Sequence, residues 1–154
     1  MSQILLLAVG KLKLTENKSL CQNYLERLSH YTKFEMIEVP DASGLDPDRQ
    51  KIKESESLVE KIKAGDFVIL LDETGKEFTS RAFAEKIQSL YNAAHKRIVF
   101  VMGGAYGLSD ALKKRGQLTL ALSQLTLPHE LARVVFLEQL YRAHTILKGE
   151  KYHH

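Results

Sequence analysis

The sequence is poor in cysteine and tryptophan, with one cysteine, Cys21, and no tryptophan among its 154 residues. One cysteine excludes a disulfide within the chain and any zinc site built from several cysteines, and it fits a reducing compartment. The histidines do not form a ligand set either, because His129 and His144 are fifteen residues apart on one predicted helix and His153 and His154 are adjacent. We therefore expect no bound metal.

Long apolar runs are also missing. The apolar stretch at residues 4–9 is too short to span a membrane, and no basic segment precedes it as in a signal peptide. We expect a cytoplasmic protein without membrane association. The net charge of +3 and the pI of about 8.9 are low for an independent nucleic-acid-binding protein, so charge permits contact with RNA without establishing it.

Short apolar runs alternate with longer segments of helical character. Strands are predicted at residues 3–9, 34–39, 67–71, 98–102 and 118–122. Helices are predicted between these strands and after the last one, from apolar residues at helical spacing and from capping residues. This alternation predicts an α/β fold with a mostly parallel sheet and helices on both faces. The length favours a single domain over residues 1–154.

Local signals predict how the helices begin and which sides they bury. Thr15 or Asn17 is predicted to cap the first helix, and Thr79 or Ser80 the third. The second helix follows a turn-rich loop at residues 41–48, which we expect to be mobile. The residues predicted on its inner side are Ile52, Leu58, Val59 and Ile62.

The helix after Pro128 is apolar on nearly every side, and the proline fits its first turn because it has no N–H to leave unpaired. Such a helix is buried nearly all round, so we expect one side to face the sheet and the other a second subunit. Glu138 and Arg142 are four residues apart and are expected to pair, as a structural salt bridge or within a site. The apolar positions are Leu131, Val134, Val135, Phe136, Leu137, Leu140, Tyr141, Ile146 and Leu147.

Three predicted loops follow neighbouring strands, at residues 71–75, 103–107 and 122–127. Ligands of parallel sheets bind beyond the carboxyl ends of the strands, so these loops predict one pocket. The glycine-rich loop at 103–107 is neither the G-x-G-x-x-G dinucleotide fingerprint nor a phosphate-binding P-loop. Its glycines permit close approach of a ligand, and a tight turn without a ligand is the alternative.

Polar residues around the last helix are candidates for catalysis. His129 lies in its first turn, Arg142 lies further along, and Tyr152 and His153 follow its end. The alternatives are a polar residue at a helix start for His129 and a frayed terminus for Tyr152 and His153. The sequence contains no nucleophile elbow, so a Ser-His-Asp hydrolase is poorly supported.

Two segments resemble a known family. MGGAYGL at residues 102–108 contains GGxxGL, and residues 122–154 contain S-x-x-T-x-P-H, R-V-x-x-x-E-Q-x-Y-R-A and G-x-x-Y-H. These motifs are similar to those of the SPOUT superfamily of knotted methyltransferases, and within it to the ribosomal large subunit methyltransferase H family, the 23S rRNA pseudouridine N3-methyltransferases. The resemblance covers the whole chain, more loosely in its N-terminal part.

The resemblance implies a C-terminal trefoil knot, a homodimer packed through the final helix, and S-adenosylmethionine as methyl donor. It also implies methylation of N3 of a pseudouridine in helix 69 of 23S rRNA, within the assembled ribosome. The cofactor-binding residues that it implies are Leu71, Gly103, Gly104, Leu122, Ser123, Gln124, Leu125, Thr126 and Leu127.

N3 of a pseudouridine must lose a proton before it is methylated, and a positioned base accelerates such a step. The hypothesis is that His129 or His153 accepts or relays this proton and that Arg142 stabilises the developing oxyanion or a phosphate. The tail with Tyr152 and His153 is then expected to complete the pocket of the other subunit. Two alternatives are a non-catalytic ribosome-associated factor with the same α/β knot and a flavodoxin-like module that binds a nucleotide.

Overall fold

A computed structural model describes residues 2–154 of the chain. Strands and helices alternate along these residues, as the sequence predicts. The elements are β1 Gln3–Val9, α1 Thr15–Leu28, β2 Lys33–Val39, α2 Pro47–Val59, β3 Phe67–Glu77, α3 Ser80–Asn92, β4 Arg97–Met102, α4 Asp110–Arg115, β5 Leu118–Ala121 and α5 His129–Leu147.

The strands form one sheet in the order β2-β1-β4-β3-β5, and every neighbouring pair is parallel. In β1, Gln3 pairs with Lys33 of β2 on one side and with Arg97 of β4 on the other. All strands therefore end at the same edge. The predicted α/β class with a parallel sheet is confirmed, whereas the trefoil knot and the single domain stay predictions.

Helices cover both faces of the sheet, because alternate residues of each strand point to opposite sides. Ile4 and Leu6 belong to a core with α1, α3 and α5, in which the rings of Phe100 and Phe136 have centroids 4.7 Å apart. Leu5 belongs to a second core with α2 and α4. Continuous apolar strands were the signal for this two-sided burial, and that prediction is confirmed.

Strand β3 is longer than predicted. Residues 72–75 of the predicted loop belong to β3, which contains an irregularity where both Leu71 and Lys76 pair with Leu120. Residues 72–75 are the extra residues of this bulge. A Cβ at Gly75 would lie 2.6 Å from the backbone of Thr119, so glycine permits the close contact between the bulge and β5.

The predicted inner side of α2 is partly wrong. The helix buries Gln50, Glu54, Ser55 and Leu58 and exposes Ile52 and Val59. Oε2 of Glu54 accepts a hydrogen bond from the backbone N–H of Ala42 at 2.9 Å, and Oγ of Ser55 accepts one from Ser109 at 2.9 Å. Glu54 and Ser55 thus face inward because they bind the backbone of adjacent loops, and Gln50 donates to Glu54 at 3.1 Å.

The start of α1 is stabilised by a residue that is distant in the sequence. Neither Thr15 nor Asn17 caps the helix, so that prediction is wrong. Instead, Oε1 of Glu130 accepts hydrogen bonds from the backbone N–H groups of Lys13 and Leu14, at 3.0 and 3.1 Å. These hydrogen bonds, led by the one from Leu14, hold the pKa of Glu130 below its ordinary value.

Helix α5 is anchored to the sheet by Arg133, whose exposed fraction is only 2%. Its guanidinium donates to Glu38 at 2.6 Å, to the carbonyl of Val9 at 2.8 Å and to the carbonyl of Gly10. Pro128 was predicted in the first turn of this helix, but it occupies the N-cap position, so the helix begins one residue later, at His129. The arginine fixes the start of α5 beside the carboxyl edge of the sheet.

Candidate functional site

A cavity of about 440 Å³ opens at the carboxyl edge, between the bulge of β3 and the ends of β4 and β5. The three loops selected from the sequence line it together, with residues from α2, α4 and α5. Gln124 lies outside the lining, although it was predicted with the other loop residues. The predicted cofactor-binding residues in the wall are Leu71, Gly103, Gly104, Leu122, Ser123, Leu125, Thr126 and Leu127. Their contact with a cofactor stays a prediction.

The glycine loop at residues 103–107 presents backbone to the cavity. A Cβ at Gly103 would lie 2.8 Å from the Leu108 side chain and 3.0 Å from the backbone of Gly107. A Cβ at Gly104 would overlap with Oε1 of the buried Glu54. Gly107 has φ +82°, a conformation that favours glycine. The loop therefore packs too tightly for side chains at these positions.

Side chains connect the bulge of β3 to the segment at residues 122–127. Oγ1 of Thr126 donates to Glu73 at 2.6 Å, and the amide of Gln124 donates to Glu77. Asp72 also lines the cavity, beside Glu73. This side of the cavity is therefore negatively charged and suits a ligand that carries a positive charge.

The predicted catalytic residues fall into two groups. His129 is an exposed residue at the start of α5 and lines the cavity, but Arg142, Tyr152 and His153 do not. His129 and Arg142 are thirteen residues apart on one helix. At a rise of about 1.5 Å per residue, this separation is about 20 Å along the helix axis. One chain therefore does not bring all four residues together.

The second group forms a compact cluster at the end of α5. Arg142 donates to Oε1 of Glu138 at 2.9 and 2.6 Å, which confirms the predicted pair. The hydroxyl of Tyr152 donates to the same oxygen at 3.2 Å, and the guanidinium carbon of Arg142 lies 4.8 Å from the Tyr152 ring centroid. Burial and then the charge of Glu138 raise the pKa of Tyr152 to about 12, so it keeps its proton near neutral pH.

The contact between Arg142 and His153 defines the state of the imidazole. Their Nη1 and Nδ1 atoms are 3.1 Å apart, and because an arginine only donates, Nδ1 must be the acceptor. The proton of neutral His153 is then on Nε2. Loss of hydration, followed by the positive charges of Arg81 and Arg142, lowers the pKa of His153 and favours this neutral form. In this arrangement His153 offers a hydrogen-bond donor and no free acceptor.

Comparisons with known proteins give the same assignment as the motifs. The sequence model of a family described as "Predicted SPOUT methyltransferase" matches residues 2–153. The chain is 46% identical to a protein of Christiangramia forsetii over 98% of both chains and 45% identical to one of Flavobacterium johnsoniae, also over 98% of both. A protein of Oleidesulfovibrio alaskensis is 41% identical over 100% of both chains. Each of the three is named ribosomal RNA large subunit methyltransferase H.

The chain belongs to the ribosomal RNA large subunit methyltransferase H family of SPOUT methyltransferases. The resemblance inferred from the motifs is thereby confirmed. SPOUT methyltransferases generally use S-adenosylmethionine, and the cavity of this family member fits that molecule. Leu71, Leu122 and Leu127 offer apolar surface for a flat purine, and Asp72 and Glu73 are placed to face a cation.

Several residues of the site were not predicted as site residues. Asp72 and Glu73 lie in a selected loop, but nothing in the sequence marked their carboxylates as part of the wall. Lys51 of α2 and Lys113 of α4 also line the cavity. No motif includes them, because only the packing of α2 and α4 against the sheet brings them to this edge.

Two further features concern residues 2–154 only. No group of three or more histidine, cysteine, aspartate or glutamate side chains in this range is arranged to hold a metal ion. None of the helices in the same range is long and apolar enough to cross a membrane.

Proposed function

We propose that this chain methylates N3 of a pseudouridine in helix 69 of 23S rRNA, in the assembled ribosome of the cytoplasm, with S-adenosylmethionine as donor. The observation that carries the proposal is the cavity at the carboxyl edge, lined by backbone at Gly103 and Gly104 and by the segment at residues 122–127. Family membership supports the reaction class, and the names of the relatives support a ribosomal RNA substrate.

The cavity residues hold the donor by shape and charge. Leu71, Leu122 and Leu127 would hold the adenine, and the backbone of the glycine loop would hold the ribose, since no side chain intervenes at Gly103 and Gly104. The carboxylates of Asp72 and Glu73 attract the positive charge of the ligand. When bound, S-adenosylmethionine supplies an electrophilic methyl group on a sulfonium. Positioning of the acceptor nitrogen in line with that group accounts for much of the acceleration.

The acceptor N3 carries a proton that must leave. His129 lines the cavity and is exposed, so its imidazole is available to accept this proton. His153 is engaged at Nδ1 by Arg142 and offers its Nε2–H instead. We therefore assign proton acceptance to His129, and stabilisation of negative charge on the base to Arg142 and His153. Tyr152 holds Arg142 in place through Glu138.

These roles require two copies of the chain, because His129 and Arg142 are about 20 Å apart along one helix. We propose a homodimer through α5, in which Arg142, Tyr152 and His153 of one subunit reach the cavity of the other. Exposed apolar surface on α5 supports this arrangement, since Leu131 is 42% exposed. Each active site then contains residues of both subunits.

Methylation assays on ribosomes that lack the methyl group test the proposal. We expect His129→Ala, Arg142→Ala and a chain that ends at Lys151 to lose at least about 100-fold in rate, the lower range for loss of a proton-transfer or charge-stabilising group. Calorimetry should give Arg142→Ala and the shortened chain an affinity for S-adenosylmethionine close to that of the wild type. Wild-type rates in all three variants would exclude these assignments.

Mixed dimers test whether the sites are shared. His129→Ala and Arg142→Ala subunits are unfolded together and refolded, so that half of the dimers are mixed. Each mixed dimer has one intact site, and we expect about a quarter of the wild-type activity from two inactive preparations, by the statistics of random pairing. If the mixture stays as inactive as its components, all catalytic groups of a site come from one chain.

The alternative is a ribosome-associated factor with the same fold and no methyl transfer. The cavity favours the enzyme, because a factor that only binds the ribosome has no need of a glycine-lined pocket with two carboxylates. Wild-type protein that binds neither S-adenosylmethionine nor its product in calorimetry, and that transfers no labelled methyl group to ribosomes, would establish the factor.

A further inference from the structure

The side of the cavity formed by α2 and α4 carries positive charge. Lys51 is half-buried and Lys113 is exposed, and both line the cavity. The salt bridges found in residues 2–154 involve neither lysine. The carboxylates of Asp72 and Glu73 belong to another part of the lining, the bulge of β3. In the lining, Lys51 and Lys113 therefore belong to the helices α2 and α4, and Asp72 and Glu73 belong to β3.

An exposed aromatic ring lies at the mouth of the cavity. Tyr106 lines the cavity and is 49% exposed, and it is absent from the aromatic pairs formed within residues 2–154. It occupies the tip of a tight turn, closed by a hydrogen bond of 3.1 Å from the N–H of Gly107 to the carbonyl of Gly104. The turn presents the ring on a backbone that is fixed by packing, which suits a stacking surface.

We propose that Lys51, Lys113 and Tyr106 form the RNA-binding rim of the active site. Lysines that face a phosphate backbone supply affinity without regard to sequence, and exposed aromatic rings stack on unpaired bases. The carboxylates of Asp72 and Glu73 in β3 repel phosphates, so the RNA backbone runs along the lysines of α2 and α4, and a base next to the target stacks on Tyr106. The inference rests on the proposed function, because it takes ribosomal RNA as the substrate.

Steady-state kinetics with undermethylated ribosomes test the rim. We expect Lys51→Gln together with Lys113→Gln to raise KM for ribosomes at least about tenfold, with kcat within twofold. The dependence of log kcat/KM on log salt should become shallower by about 1.4, because each lost phosphate contact removes about 0.7 for single-stranded RNA. Arginine at both positions should restore KM. Lys114→Gln is the matched control, since Lys114 is exposed on α4 and lies outside the cavity.

Tyr106 is tested by a pair of variants. Tyr106→Ala should raise KM for ribosomes by about fivefold or more, whereas Tyr106→Phe should keep the wild-type value, because the ring is sufficient for stacking. Calorimetry with S-adenosylmethionine should give the same affinity for all of these variants and for the wild type.

Three outcomes contradict the rim. If the double lysine variant and Tyr106→Ala keep the wild-type KM and salt dependence while the wild type is active, the rim is wrong and the proposed function stands. If the lysine variant loses affinity for S-adenosylmethionine and keeps its KM for ribosomes, the lysines bind the donor carboxylate. A wild-type protein that methylates no ribosomes would overturn both the proposed function and the rim.

Discussion

At the scale of single residues, His144 shows how burial fixes a protonation state. It is 4% exposed, with Nδ1 2.8 Å from the carbonyl of Leu140 and Nε2 2.7 Å from the hydroxyl of Tyr91. A carbonyl only accepts, so Nδ1 carries the proton and Nε2 accepts from the tyrosine. Burial, the largest cause, lowers the pKa of His144 from its ordinary value of 6.5.

We predict from this residue that the protein loses stability between pH 7.5 and pH 5. The unfolded state takes up the proton at about pH 6.5, but the folded state does so only at lower pH. The free energy of unfolding is therefore highest above pH 6.5 and falls as the pH decreases toward the pKa of the folded protein. Urea titrations at several pH values measure this, and His144→Gln should flatten the dependence. His30→Gln, at an exposed position, should leave it unchanged.

The glycine loop gives a second prediction at this scale. Gly103→Ala forces a methyl group against the backbone of Gly107 and the side chain of Leu108, so the loop must move and reshape the cavity. We expect a loss of affinity for S-adenosylmethionine of at least about tenfold, together with a stability loss of about 1–3 kcal/mol from overpacking. Gly65→Ala is the control, because no atom lies within 4 Å of its added Cβ. Equal affinities for both variants would show that the loop does not contact the donor.

Residues with local partners were predictable, and those with distant partners were not. Thr79 caps α3 by accepting from Ala82 at 3.0 Å, three residues on, and local spacing predicted it. Glu130 caps α1 from more than a hundred positions away, and no local pattern indicates such a pair. The buried Arg133 was overlooked for the same reason, since its acceptors belong to β2 and to the end of β1.

At the scale of elements, the apolar pattern predicted the strands and helices but not every side that they bury. In α3, Phe83 and Ile87 are four residues apart and both are buried, as expected for one apolar side of a helix. In α2, Glu54 and Ser55 are buried in place of apolar residues because they bind loop backbone. The bulge of β3 was missed because residues 72–75 are of types common in turns, and nothing local indicates that the chain pairs with β5 again at Lys76.

Two arginines on α5 provide a prediction that separates anchoring from catalysis. Arg133→Met leaves Glu38 and two carbonyls without their donor, so we expect a loss of about 3 kcal/mol in the free energy of unfolding. Arg142→Met breaks a pair whose side chains are 24% and 18% exposed, and we expect a loss of less than about 1 kcal/mol. The methylation rate of Arg142→Met should nevertheless fall far more than its small loss of stability would explain.

Chemical denaturation and the ribosome assay, applied to both variants, give the four values needed. Equal losses of stability would mean that the cluster around Arg142 is as structural as the anchor. A soluble Arg133→Met variant should still methylate at a temperature well below its unfolding midpoint, because the anchor lies outside the cavity wall.

At the scale of the whole molecule, the rule for strand ends predicted the three loops of the cavity, because every strand of a parallel sheet ends at one edge. It did not predict Lys51 and Lys113, which depend on how α2 and α4 pack on the sheet. The distance between His129 and Arg142 could be read from the sequence, because thirteen positions along one predicted helix span about 20 Å.

The last prediction concerns the assembly that this distance requires. The surface of α5 between His129 and Arg142 includes the exposed Leu131 and the half-buried Val135, four residues apart and hence on one side of the helix. Val135 also lines a groove of about 260 Å³ between α3 and α5, and this groove is a binding surface for apolar side chains of a second copy. A charge at this position has no partner in an apolar interface and opposes association.

We therefore expect the wild type to be a dimer in light scattering and Val135→Glu to be a monomer, with methylation reduced at least about 100-fold. Its affinity for S-adenosylmethionine should stay within a few fold of the wild type, because the cavity is lined by residues of one chain. Val59→Glu, at a position of α2 that is 40% exposed, should remain dimeric and active. A monomeric Val135→Glu variant with full activity would mean that one chain completes the site alone, contrary to the division of His129 and Arg142 between subunits.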